Sequence, residues 1–369
     1  MPLFLHGVVG VASRDAECVS EDCRGLAKRD AVPAKILRCL LRVPLEIHSI
    51  KCIYFLIDPP RRKRRVRKAR ASVPDLCTAG EVLSPMKAIV VTGCSTGIGR
   101  SVAERFVKRG YRVFGSVRRT EDGDKLRKEL GDFFTPLLFD VRDDAAVGRA
   151  AEEVRSVVKD GGLSGLVNNA GVAAPGPLMY LTAEEFRLPF EVNVMGTLNV
   201  TRAFLPLLGA REDCPHPPGR IVNVSSISGW YTFPFNTPYC VSKHGLEALS
   251  DGLRRELGVY GIDVVVIVPG AIRTPIWNKV EELDVSRFKG SVYYASIESA
   301  KKLRVEAGKK SVPVDRVSDA IQKALESPRP KTRYRITGSP LREWFVPRSL
   351  PDRWLDRLLW RMIRLPPLV

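Results

Sequence analysis

From residue 87 onward, short apolar runs alternate with stretches whose apolar residues recur every three or four positions. KAIVVTG (87–93) is β-branched, brief and closed by Thr-Gly, the pattern of a buried strand. In the stretch that follows, Ile98, Val102, Ala103, Phe106 and Val107 repeat at helical spacing, and Gly110 stands where a helix would end. YRVFGSV (111–117), TPLLFDV (135–141), LSGLVNNAG (163–171), GRIVNVSS (219–226) and IDVVVIVPG (262–270) read as five further strands, with helical patterns between them such as Val147 to Val158. Strands apolar on both faces, separated by helices, specify a parallel sheet covered on both sides. Right-handed crossovers then make it an α/β, doubly wound sheet.

Charge divides the chain differently. The net charge is +18 over 369 residues, yet residues 1–85 hold 16 Lys and Arg against 9 Asp and Glu, and residues 328–369 hold 10 against 3. The middle is close to neutral, so the basicity describes the ends. The expected organisation is therefore a basic extension over 1–85, a body over 86–327, and a basic amphipathic tail over 328–369. In the extension, eight of the ten residues 61–70 (RRKRRVRKAR) are basic. A binding arm, a targeting segment, or an extension that is disordered or not part of the fold all fit this composition; the last is adopted, because Met86 stands directly before the first strand. No run reaches the 18 apolar residues of a membrane-spanning helix. None of the eight cysteines makes a CxxC pair, and the four histidines are scattered, so neither a zinc site nor a disulfide framework is expected. The expected location is cytoplasmic, with membrane association left open.

The candidate chemistry begins at the first turn. TGCSTGIG (92–99) joins a strand to a helix, where free backbone N–H groups and the positive helix end make an anion site. Its G-x-x-x-G-x-G spacing departs from the usual dinucleotide G-x-G-x-x-G. YCVSK (239–243) places a phenol and an ammonium one helical turn apart. Reduction of a carbonyl builds negative charge on oxygen that needs a proton donor, and the reverse reaction needs a base. A tyrosine titrates near ~10, and an adjacent cation can lower that value by roughly 1–3 units.

Thr92-Gly93 with Gly97 and Gly99, NNAG (168–171), Ser226, and the Tyr239/Lys243 pair occur in this order, with Ser226 thirteen residues before Tyr239. Together they resemble the short-chain dehydrogenase/reductase family in its common, not its extended, form, clearly over about 86–280. The resemblance implies a Rossmann-like fold and a catalytic set of Asn193, Ser226, Tyr239 and Lys243. Tyr239 would be the acid or base. Lys243 would also bind the nicotinamide ribose, and Ser226 would hold the substrate oxygen, the thirteen-residue spacing choosing it over Ser225 and Ser228. Asn193 would support a proton path, with Asn199 close by as a rival. Gly93, Ser95, Thr96, Gly97, Ile98 and Gly99 would form the cofactor turn. Asp140 and Val141 would lie near the adenine, Asn168 and Ala170 near its ribose, and Pro269, Ile272 and Thr274 at the nicotinamide end. An ordinary strand-end acid is the other reading of Asp140.

At the end of the second strand, where NAD-binding members carry a carboxylate, this chain has Val117 followed by Arg118 and Arg119. A guanidinium suits a 2′-phosphate, so NADP(H) is expected over NAD(H), with solvated surface charges as the alternative. GWYTFPFNTPY (229–239) offers Trp230, Tyr231, Phe233 and Phe235 to a pocket or to local core. The expected substrate is a small hydrophobic carbonyl or alcohol, retinoid-, steroid- or lipid-like. The tail, LPDRWLDRLLWRMIRL (350–365), has an apolar helical stripe that fits an anionic membrane surface, a partner subunit or the body. A homo-oligomer, dimer or tetramer, is expected, and nucleic acid is not. A non-catalytic dinucleotide-binding regulatory module with a basic arm for nucleic acid or membrane is the rival reading; the complete Asn/Ser/Tyr/Lys set argues against it.

Overall fold

The computed structural model describes residues 86–366; the expected extension 1–85, with its basic run, lies outside the described residues. Among the described residues there are seven strands: β1 (Ala88–Val91), β2 (Arg112–Val117), β3 (Phe134–Leu138), β4 (Gly165–Asn168), β5 (Arg220–Val224), β6 (Asp263–Pro269) and β7 (Arg333–Ile336). They form one parallel sheet in the order β3-β2-β1-β4-β5-β6-β7. The order reverses between β1 and β4, so the loops leaving these two strands open a crevice at the sheet's carboxyl edge, the place where such folds bind ligands.

The principal helices are α1 (Gly97–Lys108), α2 (Thr120–Leu130), α3 (Asp144–Val158), α4 (Ala183–Phe190), α5 (Gly196–Phe204), α6 (Thr237–Glu256), α7 (Ile276–Glu281), α8 (Tyr294–Lys309), α9 (Asp315–Glu326) and α10 (Asp352–Ile363). The apolar residues of α1, α2 and α9 pack on one face of the sheet, against Ile89, Val91 and Ile267. Those of α3, α5 and the end of α6 pack on the other, against Ala88, Val90 and Leu166. Alternate β1 residues thus serve opposite layers. Ile89, Val90 and Val91 are wholly buried, each contributing roughly 1.5–3 kcal/mol on removal from water.

Six strands stand where the apolar runs predict them. The seventh, RYRI, carries two arginines in four residues and has no apolar run to announce it. It pairs with β6, Val266 to Pro269 facing Arg333 to Ile336. The sheet therefore continues past residue 327, where the charge pattern draws the edge of the body. Arg333 then ties this edge strand to α6 through ion pairs to Glu247 and Asp251, both 2.9 Å.

The tail helix α10 packs on α8. Leu359 and Ile363 are buried, Ile363 in a cluster with Phe235, Phe288, Ile297 and Ala300, and the Ser296 hydroxyl donates to the Arg364 carbonyl at 3.0 Å. Its other face leaves Trp354, Leu358 and Met362 exposed, interleaved with exposed Arg353, Arg357 and Arg361.

Candidate active site

The glycine turn is the floor of the crevice. Gly93 and Gly97 have φ of +69° and +63°, a region that residues with a Cβ rarely enter. Gly99 is required by packing: a Cβ there would lie 2.2 Å from the Gly93 carbonyl oxygen and 2.5 Å from Asn169 Nδ2. Thr96 stands at the N-cap of α1, but its side chain does not cap the helix, and the first turn holds no acid. The first-turn N–H groups of α1 therefore receive no side-chain cap and face the crevice with the helix's positive end, which suits an anion. Thr274 reaches the same turn, its Cβ and Cγ2 each 3.4 Å from where a Gly97 Cβ would sit.

The loop after β4 closes the crevice from the other side, and the two asparagines of NNAG divide its work. Asn168 is buried, its Nδ2 donating to Thr201 Oγ1 at 3.1 Å and Asn223 Oδ1 at 2.9 Å. Its side chain belongs to an internal network that continues from Asn223 Nδ2 to the Ser250 hydroxyl, while its Oδ1 is buried without a partner among the described residues. Asn169, which the sequence argument passed over, clamps the glycine turn instead: its Nδ2 donates to the carbonyls of Thr92 (2.9 Å) and Gly93 (3.1 Å). Thr92 Oγ1 in turn accepts from the Asn169 and Ala170 amides. Asn168 ends β4 and Asn169 opens the loop after it; alternation in extended backbone separates their side chains, and that much was available in the sequence.

Tyr239 lies in the first turn of α6 and Lys243 one turn later. Lys243 is buried, its Nζ donating to the Val224 carbonyl at 2.8 Å and standing 5.6 Å from the centre of the Tyr239 ring. Burial pushes the ammonium down to about 8, while the Glu247 carboxylate one turn further along opposes the shift. The tyrosine moves opposite to the expectation of an acidified phenol. Burial pushes it up to about 12, and the Ser226 hydroxyl and the Arg304 guanidinium pull it back only in part. A phenol so placed keeps its proton at neutral pH, which makes it a donor.

Ser226 follows β5 with extended backbone, its Oγ accepting from the Ser228 amide at 3.1 Å. Of the three serines it is the one whose hydroxyl adjoins Tyr239; Ser225 Oγ is buried without a partner. Asn193 sits on a π-helical turn, Glu191–Met195, between α4 and α5. Pro189 lacks the N–H that would continue the ordinary ladder, and a widened turn follows it. The wide turn directs Asn193 inward, where its Oδ1 accepts from the Val172 amide (2.9 Å) and its Nδ2 donates to the Val172 carbonyl (3.0 Å) and the Ser242 hydroxyl (2.8 Å). Asn193 therefore clasps the β4 loop to α6, while Asn199 Nδ2 turns toward the Val141 carbonyl. Gly171 lies between these groups: a Cβ on it would be 3.2 Å from Asn193 Oδ1 and 3.7 Å from Lys243 Nζ.

At the far end of the crevice, Val117 closes β2 and Arg118 is exposed, without an ion pair among the described residues. Arg119 pairs with Asp122 at 2.9 Å. Asp140 accepts from Arg142 through both oxygens, 3.0 and 2.9 Å, which holds its carboxyl below the ordinary range. Val141 beside it is buried against Gly196. Pro269 ends β6, and Ile272 is buried with its carbonyl accepting from Trp277 Nε1 at 2.7 Å.

The aromatic run before α6 splits. Phe235, held at φ +60° with its carbonyl accepting from the Gly176 amide at 3.0 Å, lines a narrow cleft under α7 and α8. Phe233 packs with the same lid cluster. Trp230 is directed elsewhere: its ring stacks edge-on against Trp344 at 4.7 Å, with the Arg348 guanidinium 4.3 Å above it. No group of residues able to hold a metal ion occurs among the described residues.

The chain matches the family described as short chain dehydrogenase over residues 87–284. It belongs to that family. This dehydrogenase is 39% identical over 279 residues to the NADPH-dependent 3-dehydrocapnine reductase of Ornithobacterium rhinotracheale, covering 76% of the present chain and 98% of the reductase. It is 34% identical over 284 residues to retinol dehydrogenase 5 of Homo sapiens, covering 73% and 87% of the two chains. A crystal structure of an actinorhodin polyketide ketoreductase variant with NADPH superposes on this dehydrogenase with a TM-score of 0.58 at 28% identity, over 69% of this chain and 96% of that one.

Proposed function

We propose that this dehydrogenase interconverts a hydrophobic ketone or aldehyde with its alcohol, using NADP(H), with Tyr239 as the proton donor in reduction and the acceptor in oxidation. The observation that carries the reading is the packing of Tyr239, Ser226 and Lys243 around one point beside the crevice at the sheet's switch point. The glycine turn and the uncapped start of α1 suit a pyrophosphate, and the nicotinamide, when bound, supplies or accepts the hydride. Ser226 positions the substrate oxygen at the Tyr239 hydroxyl. Tyr239 gives that oxygen its proton, and the Lys243 charge stabilises the phenolate left behind. Asn193 keeps the β4 loop and α6 in register, so these groups hold their spacing. The apolar cleft beneath α8 receives the rest of the substrate. The named activities of the two relatives, on a dehydrocapnine and a retinol, support a lipid-like compound. A panel of carbonyl compounds and alcohols followed by NADPH absorbance tests the reading; no turnover with any of them would overturn it.

Cofactor choice rests on Arg118. With no carboxylate at Val117 and no ion pair on Arg118 among the described residues, a 2′-phosphate would meet a free guanidinium, worth roughly 1.5–3 kcal/mol as a charge-assisted hydrogen bond. Arg118→Asp is expected to move kcat/KM from NADPH toward NADH by roughly 10- to 100-fold. An unchanged ratio of the two kcat/KM values removes the assignment.

The exposed face of α10 is proposed to rest on an anionic membrane surface. Trp354, Leu358 and Met362 form an apolar stripe among arginines, away from the buried Leu359 and Ile363. Flotation with vesicles containing phosphatidylserine should carry the wild-type protein upward and leave Trp354→Glu/Leu358→Glu behind. Equal flotation of both would show that this face does not bind lipid.

A further inference from the structure

One charged side chain in the substrate cleft has no counterpart in the reaction as described. Arg304 lies on α8 and lines the cleft with Phe235, Val280, Leu283, Ile297 and Ala300. Residues 297, 300, 301 and 304 share one face of the helix, which is apolar apart from the two cations. Lys301 is engaged, its Nζ donating to the Leu283 carbonyl at 2.8 Å. Arg304 makes no hydrogen bond or ion pair among the described residues. The two acids of α8 are spoken for: Glu306 pairs with Lys310 at 3.0 Å, and Glu298 accepts from Tyr294. The titratable groups that act on its guanidinium are the Tyr239 hydroxyl and the Cys240 thiol, both neutral at ordinary pH, and no carboxylate is among them.

Arg304 is partly buried: its nitrogens keep some contact with water, but the cleft side chains around it are apolar apart from Lys301 and supply no counter-charge, where a cation withdrawn from water is ordinarily paired. Burial already pulls Arg304 below its usual range. The other lid arginine with an enclosed aromatic neighbour, Arg287, is paired with Glu185 at 2.7 Å. Arg304 is thus a planar two-pronged donor, close to the proton-transferring tyrosine and directed into the cleft, that lacks an acceptor among the described residues.

We propose that Arg304 binds an acidic group on the substrate, so that the compound reduced here is an amphiphile with a carboxylate, or an acid of the same charge, near its carbonyl. The apolar cleft takes the chain, Arg304 takes the acid through two parallel N–H···O bonds, and the carbonyl between them reaches Ser226 and Tyr239. This deepens the reading above by naming the substrate's charge, and it rests on that reading.

The test compares a long-chain ketone bearing a carboxylate, its phosphonate analogue and its methyl ester, with wild type, Arg304→Gln and Arg304→Lys. Wild type should prefer the acids over the ester by roughly 10- to 100-fold in kcat/KM, mostly through KM. Arg304→Gln should lose that preference, its kcat/KM for the acids falling to that for the ester, and Arg304→Lys should recover part of it. The two acids, differing in geometry but not sign, show whether carboxylate or phosphonate is the better fit. Wild type treating acids and ester alike overturns the proposal. So does an equal fall of kcat for acids and ester in Arg304→Gln, which would make Arg304 a group that tunes Tyr239. Calorimetric binding of the carboxylate separates the two readings. If no ketone of either kind is reduced but the acid binds and Arg304→Gln abolishes the binding, the charge assignment stands and the oxidoreductase reading falls.

Discussion

Tyr239→Phe is expected to lower turnover by at least roughly 10²-fold, the scale of a lost acid–base catalyst, with the fold unchanged. The substitution removes one oxygen from a ring held in the first turn of α6, so packing is kept and the proton is lost. The reduction assay, with a thermal melt as the folding control, checks it; near-normal turnover in a folded variant would mean that another group supplies the proton. The same pair shapes the pH profile. Tyr239, pushed up to about 12, stays protonated well above neutral pH, whereas Lys243, pushed down to about 8, is charged at neutral pH and loses its proton just above it. As pH rises past the Lys243 value, the ammonium loses the charge that stabilises the departing phenolate. Reduction should therefore slow above about pH 8, and Lys243→Met should be slow throughout without that inflection. A profile that rises through this range in the wild type would contradict the assignment.

Gly99→Ala is the second large effect, and its cause is steric. The new Cβ would lie 2.2 Å from the Gly93 carbonyl oxygen and 2.5 Å from Asn169 Nδ2, and the first of these is backbone. The β1–α1 turn has to move, and with it the Asn169 clamp on the Thr92 and Gly93 carbonyls. Overpacking of this kind costs about 1–3 kcal/mol, which corresponds to a fall in Tm of a few degrees per kcal/mol for a domain of this size. The loss of NADPH affinity should exceed what the melt alone accounts for, because the displaced N–H groups are those proposed to meet the pyrophosphate. Fluorescence titration of NADPH beside a melt of the apo-protein separates the two. A variant that melts and binds like wild type would show that the turn has slack the structure does not display.

The hydrophobic pattern was sufficient to locate six strands, the glycine turn and the helix bearing Tyr239 and Lys243, because each is local: an apolar run, a short turn, one helical period. The thirteen-residue spacing that the family resemblance supplies singles out Ser226, and the fold places its hydroxyl beside Tyr239. β7 escaped, since RYRI is polar by composition and becomes a strand only because β6 presents an open edge to it. Trp230 was one of four aromatics offered to a pocket or to local core, and only the fold showed that it stacks on Trp344, 114 residues away in sequence. Alternation separates the Asn168 and Asn169 side chains, but which of them reaches the glycine turn depended on how the loops after β1 and β4 meet. The direction of the Tyr239 shift depended on burial, which outweighs a neighbouring cation when the site is dry. Arg304 was one basic residue among many in a charged stretch. What distinguishes it is the absence of an acceptor among the described residues around it, a property of three-dimensional neighbourhood. The sequence by itself determined the fold, because periodicity encodes it, and through its resemblance to the family it nominated the candidate reacting groups. Tertiary structure alone decided the charge environment of those groups and left Arg304 without an acceptor among the described residues, because electrostatics depends on what packs against a side chain from distant parts of the chain.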